Sequence, residues 1–249
     1  MFAFPKGARA GSFLHDVMEH ADYTQRDSRV DGDLITRKLS EYGFEEKWTD
    51  AVAAMLEKVV MTPLDPKDEG LRLSALRTAD RINELEFYFP LRHISSDGLK
   101  SIYGAAGFAG KGSGVHSFPE VMERLRFSPA KGFMKGYMDM IFRHDGRFYL
   151  VDWKSNFLGS RIEDYNADAL RQVMGESFYF LQYHIYLVAL NRYLELRLPD
   201  YSYERHFGGV YYLFLRGMEP SLGPRYGVYH DRPEEALIEH LTDMMLERP

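Results

Sequence analysis

Cysteine is absent from this chain of 249 residues, which removes disulfides, thiolate zinc sites and thiolate-ligated iron–sulfur clusters together. No uncharged apolar run reaches the eighteen or so residues that a membrane span needs. No basic-apolar-small leader opens the chain either, so a cytoplasmic protein without a membrane partner is expected. A nucleotide-phosphate loop is also missing. Gly110-Lys111 invites one, but the spacing Gly-x-x-x-x-Gly-Lys-Ser/Thr would need glycine at Ala105 and a hydroxyl at Gly112, so no ATP site is expected. Positive charge is in deficit: 31 Lys and Arg against 37 Asp and Glu give a net charge of −6. That counts mildly against a nucleic-acid binder, because Lys and Arg contacts to phosphate supply most non-specific affinity. An acidic metal site adds to the negative count, however, and a domain fed by a larger machine needs little affinity of its own.

What is present is a globular composition, 45% apolar and 14% aromatic, and one stretch around which the rest is organised. Gly136 to Arg143 and Phe148 to Lys154 are two runs rich in aromatic and β-branched residues, and between them lies Asp145-Gly146. Asp-Gly between such runs is a strong signal for a two-residue hairpin. That loop sets Asp139 directly opposite Asp152, and Tyr137 opposite Lys154. Like charges opposed across a sheet destabilise it, so something must offset them. Alternation also predicts that Asp139, Asp152 and Lys154 share one face among Phe148 and Leu150. A carboxylate pair on a low-dielectric surface shares a proton or binds a cation, and hard oxygen ligands suit Mg²⁺, with Mn²⁺ possible. Lys154 beside it can orient or deprotonate a water, or offset charge developing on a phosphate. The blander reading is two acids at frayed strand ends neutralised by a lysine.

Around the hairpin the pattern alternates between helix and strand. Helices are predicted over Ser12 to His20, with Phe13, Val17 and His20 on an apolar stripe, and over Asp31 to Tyr42 and Glu45 to Met61. His15 and Glu19, four apart, share a helix face. Asp31, Asp33, Glu41, Glu45 and Glu46 read as solvated. Leu71 to Arg81 holds a short helix at most. Arg81 to Leu91 reads as the first core strand; its Glu86 fits an outward polar position or a place near the site. Ile102 to Ser117 reads as a Gly- and Ser-rich loop, and Pro119 to Phe127 as a short helix before a strand beginning at Phe133 and Met134. Asn166 to Leu198 reads as one long helix broken near Gly175. It projects Gln182 and Tyr186 from one face, toward a phosphodiester backbone or the active-site strands. His206 to Arg216 reads as a central strand covered on both sides, and Pro233 to Leu246 as a closing amphipathic helix.

Gly136-x-x-Asp139, a strand turn and Asp152-Trp153-Lys154 resemble the core of the PD-(D/E)xK nuclease superfamily. Gly11-Ser12-Phe13-Leu14-His15 resembles the Gly-x-x-x-His motif of its RecB-like branch, and Gln182-Tyr183-His184-Ile185-Tyr186 resembles that branch's Gln-x-x-x-Tyr motif. The likeness spans nearly the whole chain. It implies an α/β restriction-endonuclease-like core, with a mixed sheet flanked by helices (residues 81–249) and an N-terminal helical lobe carrying His15 (residues 1–80), as one structural unit. It implies Mg²⁺ held by His15, Asp139, Asp152 and the backbone carbonyl of Trp153, with Asp139, Asp152 and Lys154 catalytic and Gln182 and Tyr186 on the substrate side. RecB-like nucleases often carry a glutamate in the strand of Glu86. The implied activity is Mg-dependent deoxyribonuclease action of the exodeoxyribonuclease V type. The implied partners are single-stranded DNA, a helicase portion of the same polypeptide, RecC- and RecD-like subunits and a recombinase, in double-strand-break processing. Two rivals stay open: a metal-dependent hydrolase of another phosphate ester, and a catalytically silent docking module of a helicase complex.

Overall fold

A computed structural model describes residues 1–24, 28–105 and 130–246. Its centre is a five-stranded sheet in the order β1-β2-β3-β4-β5: Arg81–Ile94, Ala130–His144, Arg147–Lys154, Phe207–Phe214 and Val228–Asp231. All neighbours are antiparallel except β3 and β4, which run parallel. The Asp-Gly loop makes the expected tight turn, with φ of 47° at Asp145 and 75° at Gly146, as a hairpin turn with two left-handed residues requires.

Alternation along β3 and β4 divides the core in two. Leu150, Val210, Tyr212 and Phe214 face one apolar cluster, and Val151, Trp153, Tyr211 and Leu213 face another. The first is covered by α4 (Ser96–Ala105), α5 (Ala167–Glu176), α6 (Tyr179–Arg197) and α8 (Glu235–Met245), after the single-turn α7 (Tyr203–His206). The second is covered by α1 (Ala8–His20), α2 (Ser28–Glu41) and α3 (Thr49–Met61). Each fully buried Leu or Phe here contributes about 1.5–3 kcal/mol. The amino-terminal helices thus share a core with the sheet they cover.

Several expectations are corrected. His20 is half exposed and bonded to Asp16, whereas Phe13 and Val17 are buried as predicted. β1 is an edge strand. β2 begins at Ala130 rather than Phe133, and residues 102–105 belong to α4 instead of a loop. The rest of that loop, with Lys111, lies outside the described residues, as do the helix expected over Pro119 to Phe127 and the side chain of Asp31. The long helix is two helices, α5 and α6. The break falls near Gly175 as expected, at Ser177 and Phe178, where Phe178 takes a left-handed φ of 57°.

Arg216 fixes the amino terminus to this frame. Its guanidinium is buried and donates to the carbonyls of Met1 (2.8 Å), Phe4 (3.2 Å), Pro5 (2.6 Å) and Ser155 (3.0 Å). A planar five-donor fork suits such a cluster of carbonyls. Arg216→Met keeps much of the stem but leaves four acceptors without their donor, and should cost about 3 kcal/mol in urea unfolding. A loss below about 1 kcal/mol would show that water replaces the clamp.

Candidate active site

The β2–β3 ladder follows the expected register, and then it stops. Met140↔Val151 is its last pair, so the expected backbone pairing of Asp139 with Asp152, and of Tyr137 with Lys154, does not form. Beyond that point Tyr137 pairs only with Glu86 of β1. Asp139 instead reaches into the opening between the strands, where its Oδ2 accepts the backbone N–H of Trp153 at 2.8 Å. N–H and C=O of one residue in a strand point to the same side, so the Trp153 carbonyl also faces this opening.

The cause of the opening lies in β1 and β2 together. Arg81 and Asn83 turn toward α1 and donate to the carbonyls of Ala21 and Glu19, whereas Leu85, Phe87 and Phe89 pack in the cluster on the other side of the sheet. Between them Glu84 has φ of 52°, uncommon for a residue other than glycine. β2 changes sides at the same level: Met140 and Phe142 belong to the cluster under α1, Met138 and Met134 to the opposite one. Asp139 sits at this change of face.

Asp152 and Lys154 come from the other side of the opening, on the same face as Leu150. Both are buried, with Lys154 Nζ 2.7 Å and 3.1 Å from the two Asp152 oxygens. Lys154 also donates to Gln182 Oε1 (3.1 Å) and lies 3.8 Å from the centroid of the Tyr179 ring and 4.8 Å from that of Tyr212. Gln182 Oε1 further accepts from Tyr212 Oη, and its Nε2 donates to Tyr186 Oη. Both polar ends of Gln182 are therefore engaged by protein groups, which makes it a support for the ammonium. Tyr186 packs edge-on against Phe87, and Phe87 lies over Gly136, where any Cβ would stand 2.4 Å from the ring.

His15 arrives from the α1 side. Its Nδ1 is 3.3 Å from Asp139 Oδ2. One turn earlier, a Cβ on Gly11 would lie 3.1 Å from Ser155 Oγ, so the glycine of Gly-x-x-x-His lets α1 approach the segment that leaves β3. His15 opens onto a cleft of about 560 Å³ with Gly11, Ser12, Asp16, Glu19, Tyr42 and Glu84. Glu84 is the residue that sequence reasoning missed. Glu86 lies on the outer face, bound to Lys135 at 3.0 Å and Tyr137 at 3.1 Å. No periodic signal marks a left-handed residue inside a strand.

The electrostatics follow from burial. Loss of solvent, then the charge of Asp139, pushes the Asp152 carboxyl up to about 7, against the pull of Lys154. Burial lowers His15, but the Asp139 carboxylate outweighs it and leaves the imidazole above its ordinary value. Glu84 is raised too, by burial and by Glu19 and Asp139. An imidazole nitrogen, two carboxylates and a carbonyl form a donor set that fits a divalent cation of the Mg²⁺ or Mn²⁺ type. Their ligating atoms are not drawn into one cluster, because Asp152 is turned to Lys154. Among the described residues, the groups with three ligating atoms within 4.8 Å of one another are Asp16, Glu19 and His20, and Asp68, His144 and Asp145.

A family model described as the PD-(D/E)XK nuclease superfamily matches residues 3–247. The chain belongs to the PD-(D/E)XK nuclease superfamily. Within it, the chain is 37% identical to RecBCD enzyme subunit RecB of Escherichia coli over 245 residues, which is 97% of this chain and 19% of that protein. It is also 37% identical to the subunit of the same name from Haemophilus influenzae, over 95% of this chain and 18% of the relative. For the Mycobacterium tuberculosis subunit the identity is 32%, over 98% and 24%. The chain thus spans about a fifth of the length of these curated relatives. The mixed sheet with helices on both faces is the α/β nuclease fold of the superfamily, whose members use divalent metals. No helix among the described residues is long and apolar enough to cross a membrane.

The pKa shifts carry a sign that can be measured. Native Asp152 and His15 both hold protons more tightly than in the unfolded chain, so each contributes stability that is lost as pH rises, through about 7 for Asp152. In EDTA, the melting temperature of the parent relative to Asp152→Asn should fall between pH 5 and pH 8, and Mn²⁺ should reverse that fall. A difference that stays flat or rises with pH would contradict the assignment.

Proposed function

We propose that this chain is the nuclease portion of a RecBCD-type helicase–nuclease that hydrolyses DNA phosphodiester bonds with Mg²⁺, or Mn²⁺ in its place. The observation that carries the reading is the buried Asp152–Lys154 pair set beside Asp139 and His15 at the opened end of the hairpin. Two neighbouring carboxylates and a lysine, largely withdrawn from solvent at one point, cost stability that their mutual contacts recover only in part, which supports a chemical role for them.

His15, Asp139, Asp152 and the Trp153 carbonyl are the groups that would hold the cation. A divalent cation held there would supply polarisation of the scissile phosphate and a lowered pKa for the attacking water. Asp139 is held in place by the Trp153 N–H, and His15 by the close approach of α1 at Gly11. Lys154, carried by Gln182 and the faces of Tyr179 and Tyr212, points its ammonium at the same place. There it positions the water and offsets charge on the phosphate. Gln182 and Tyr186, expected on the substrate side, act in this reading chiefly by holding Lys154. Asp16, Glu19 and Glu84 make the mouth of the cleft acidic, which repels a phosphodiester until a cation is bound and so supports metal dependence.

The exodeoxyribonuclease V type of activity, the preference for single strands, and the partners are part of the same proposal. Those partners are a helicase portion, RecC- and RecD-like subunits and a recombinase in the bacterial cytoplasm. They rest on the relatives' name and on the small share of those relatives that this chain spans. The net charge of −6 fits a domain that receives its strand from a motor, since its own affinity for DNA would be low.

Circular single-stranded DNA tests the activity without needing a helicase or an end. The parent should cut it with Mg²⁺ and not in EDTA, and Asp152→Ala or Lys154→Ala should lower the rate roughly a hundredfold or more. Gln182→Ala should lower kcat about tenfold with little change in KM, the pattern of a group that orients another. Variants that cut as well as the parent would refute the catalytic assignment, and a parent that binds Mn²⁺ but leaves DNA intact would favour a docking role.

A further inference from the structure

Beyond the change of face at Asp139, the β1–β2 ribbon continues outward with one side packed and the other bare. Met138, Met134, Leu85, Phe87 and Phe89 pack against the helical cluster. The bare side carries Tyr137, Lys135 and Phe133 on β2, paired with Glu86, Tyr88 and Pro90 on β1. Three aromatic rings are exposed there: Tyr88 at 61%, Phe133 at 64% and Tyr137 at 42%. Tyr88 and Phe133 stack on each other with centroids 4.8 Å apart and planes within 9°. Exposed large apolar groups gathered on one face of a strand pair are uncommon without a partner.

The geometry points to a single-stranded DNA track on this face, in which the stacked Tyr88–Phe133 pair and Tyr137 receive the bases of the strand passing to or from the metal site. The inference rests on the nuclease reading proposed above and adds to it where the strand runs. Alternation puts Phe133, Lys135 and Tyr137 on one side of β2, and this side runs up to Asp139, where the strand changes face. At about 3.3 Å per residue, Tyr137 lies about 7 Å and Phe133 about 20 Å from Asp139. The face is therefore continuous with the place where the phosphodiester must sit. Among the described side chains of this ribbon face, the cation of Lys135 is already engaged, since it is 3.0 Å from Glu86, which also accepts from Tyr137. The face is electrically balanced and aromatic, so it suits base stacking, which tolerates any sequence, more than phosphate capture. A protein strand added to the edge of β1 fits less well: Pro90 offers no N–H, and proline at an edge blocks such pairing.

The test uses the full chain and fluorescein-labelled oligo(dT), with anisotropy read in Ca²⁺ over a range of salt. Both rings are exposed, so Tyr88→Ala/Phe133→Ala should fold, which its urea midpoint and Mn²⁺ affinity will show. The double variant should bind oligo(dT) at least about tenfold more weakly with an unchanged salt slope, and Tyr88→Phe/Phe133→Trp should bind as the parent does. Affinity within twofold of the parent's, in a parent that cuts circular single-stranded DNA, would overturn the track and leave the nuclease reading intact. A weakened salt slope in the double variant would also overturn it, by showing phosphate contact instead of stacking. A parent that neither binds oligo(dT) nor cuts DNA would overturn both.

Discussion

A lysine and an aspartate buried together next to a second aspartate are the constraint that the rest of this structure serves. The Asp152–Lys154 pair is nearly removed from solvent on a face otherwise made of Leu150, Tyr212 and Phe214. Burying charges this way costs free energy that mutual attraction recovers only in part. Asp139 makes the balance worse, and the Asp152 carboxyl rises toward neutrality in response. The protein does not relieve the tension by moving the acids apart in sequence or by exposing them. It ends the β2–β3 ladder at Met140 and Val151, short of the acids, so that Asp139 meets a backbone N–H and an imidazole in place of a facing carboxylate.

The surrounding elements hold that opening in shape. At one end of α1, Arg216 gathers the carbonyls of the amino-terminal residues and of Ser155, and Gly11 allows helix and strand end to touch. At the other end, Arg81 and Asn83 of β1 grip the last carbonyls of the helix, and Arg81 lies over the ring of Tyr23, itself edge-on to Trp153. His15 sits between these two anchor points. The opposite layer fixes Lys154 through Gln182, Tyr179 and Tyr212. Groups from both faces of the sheet thus converge at one gap, and each is positioned by contacts that do not depend on a bound ion.

Much of this was legible in the sequence, for local reasons. Asp145-Gly146 specified the turn and hence the register that drew Asp152 and Lys154 toward Asp139, the residue types of β4 specified a doubly covered centre, and the resemblance to the Gly-x-x-x-His motif implied His15. The early end of the ladder was not legible, because nothing in Tyr137-Met138-Asp139 says where pairing stops. That depends on Glu84, whose left-handed backbone in the neighbouring strand is a tertiary outcome. The resemblance drew attention to Glu86, whereas alternation alone made it an outward polar residue of β1, and outward is where it lies, bound to Lys135 and Tyr137. The short β5 was missed because it is settled by packing against β4 rather than by local sequence.

A crystal grown with Mn²⁺ and examined by anomalous scattering tests the central claim most directly, since the acidic mouth of the cleft offers the ion a ready alternative. The account predicts one principal peak bound by His15, Asp139 and Asp152 together with the Trp153 carbonyl, with Asp152 turned away from Lys154 to reach it. A principal peak at Asp16, Glu19 and His20, with Asp152 still paired to Lys154, would contradict it.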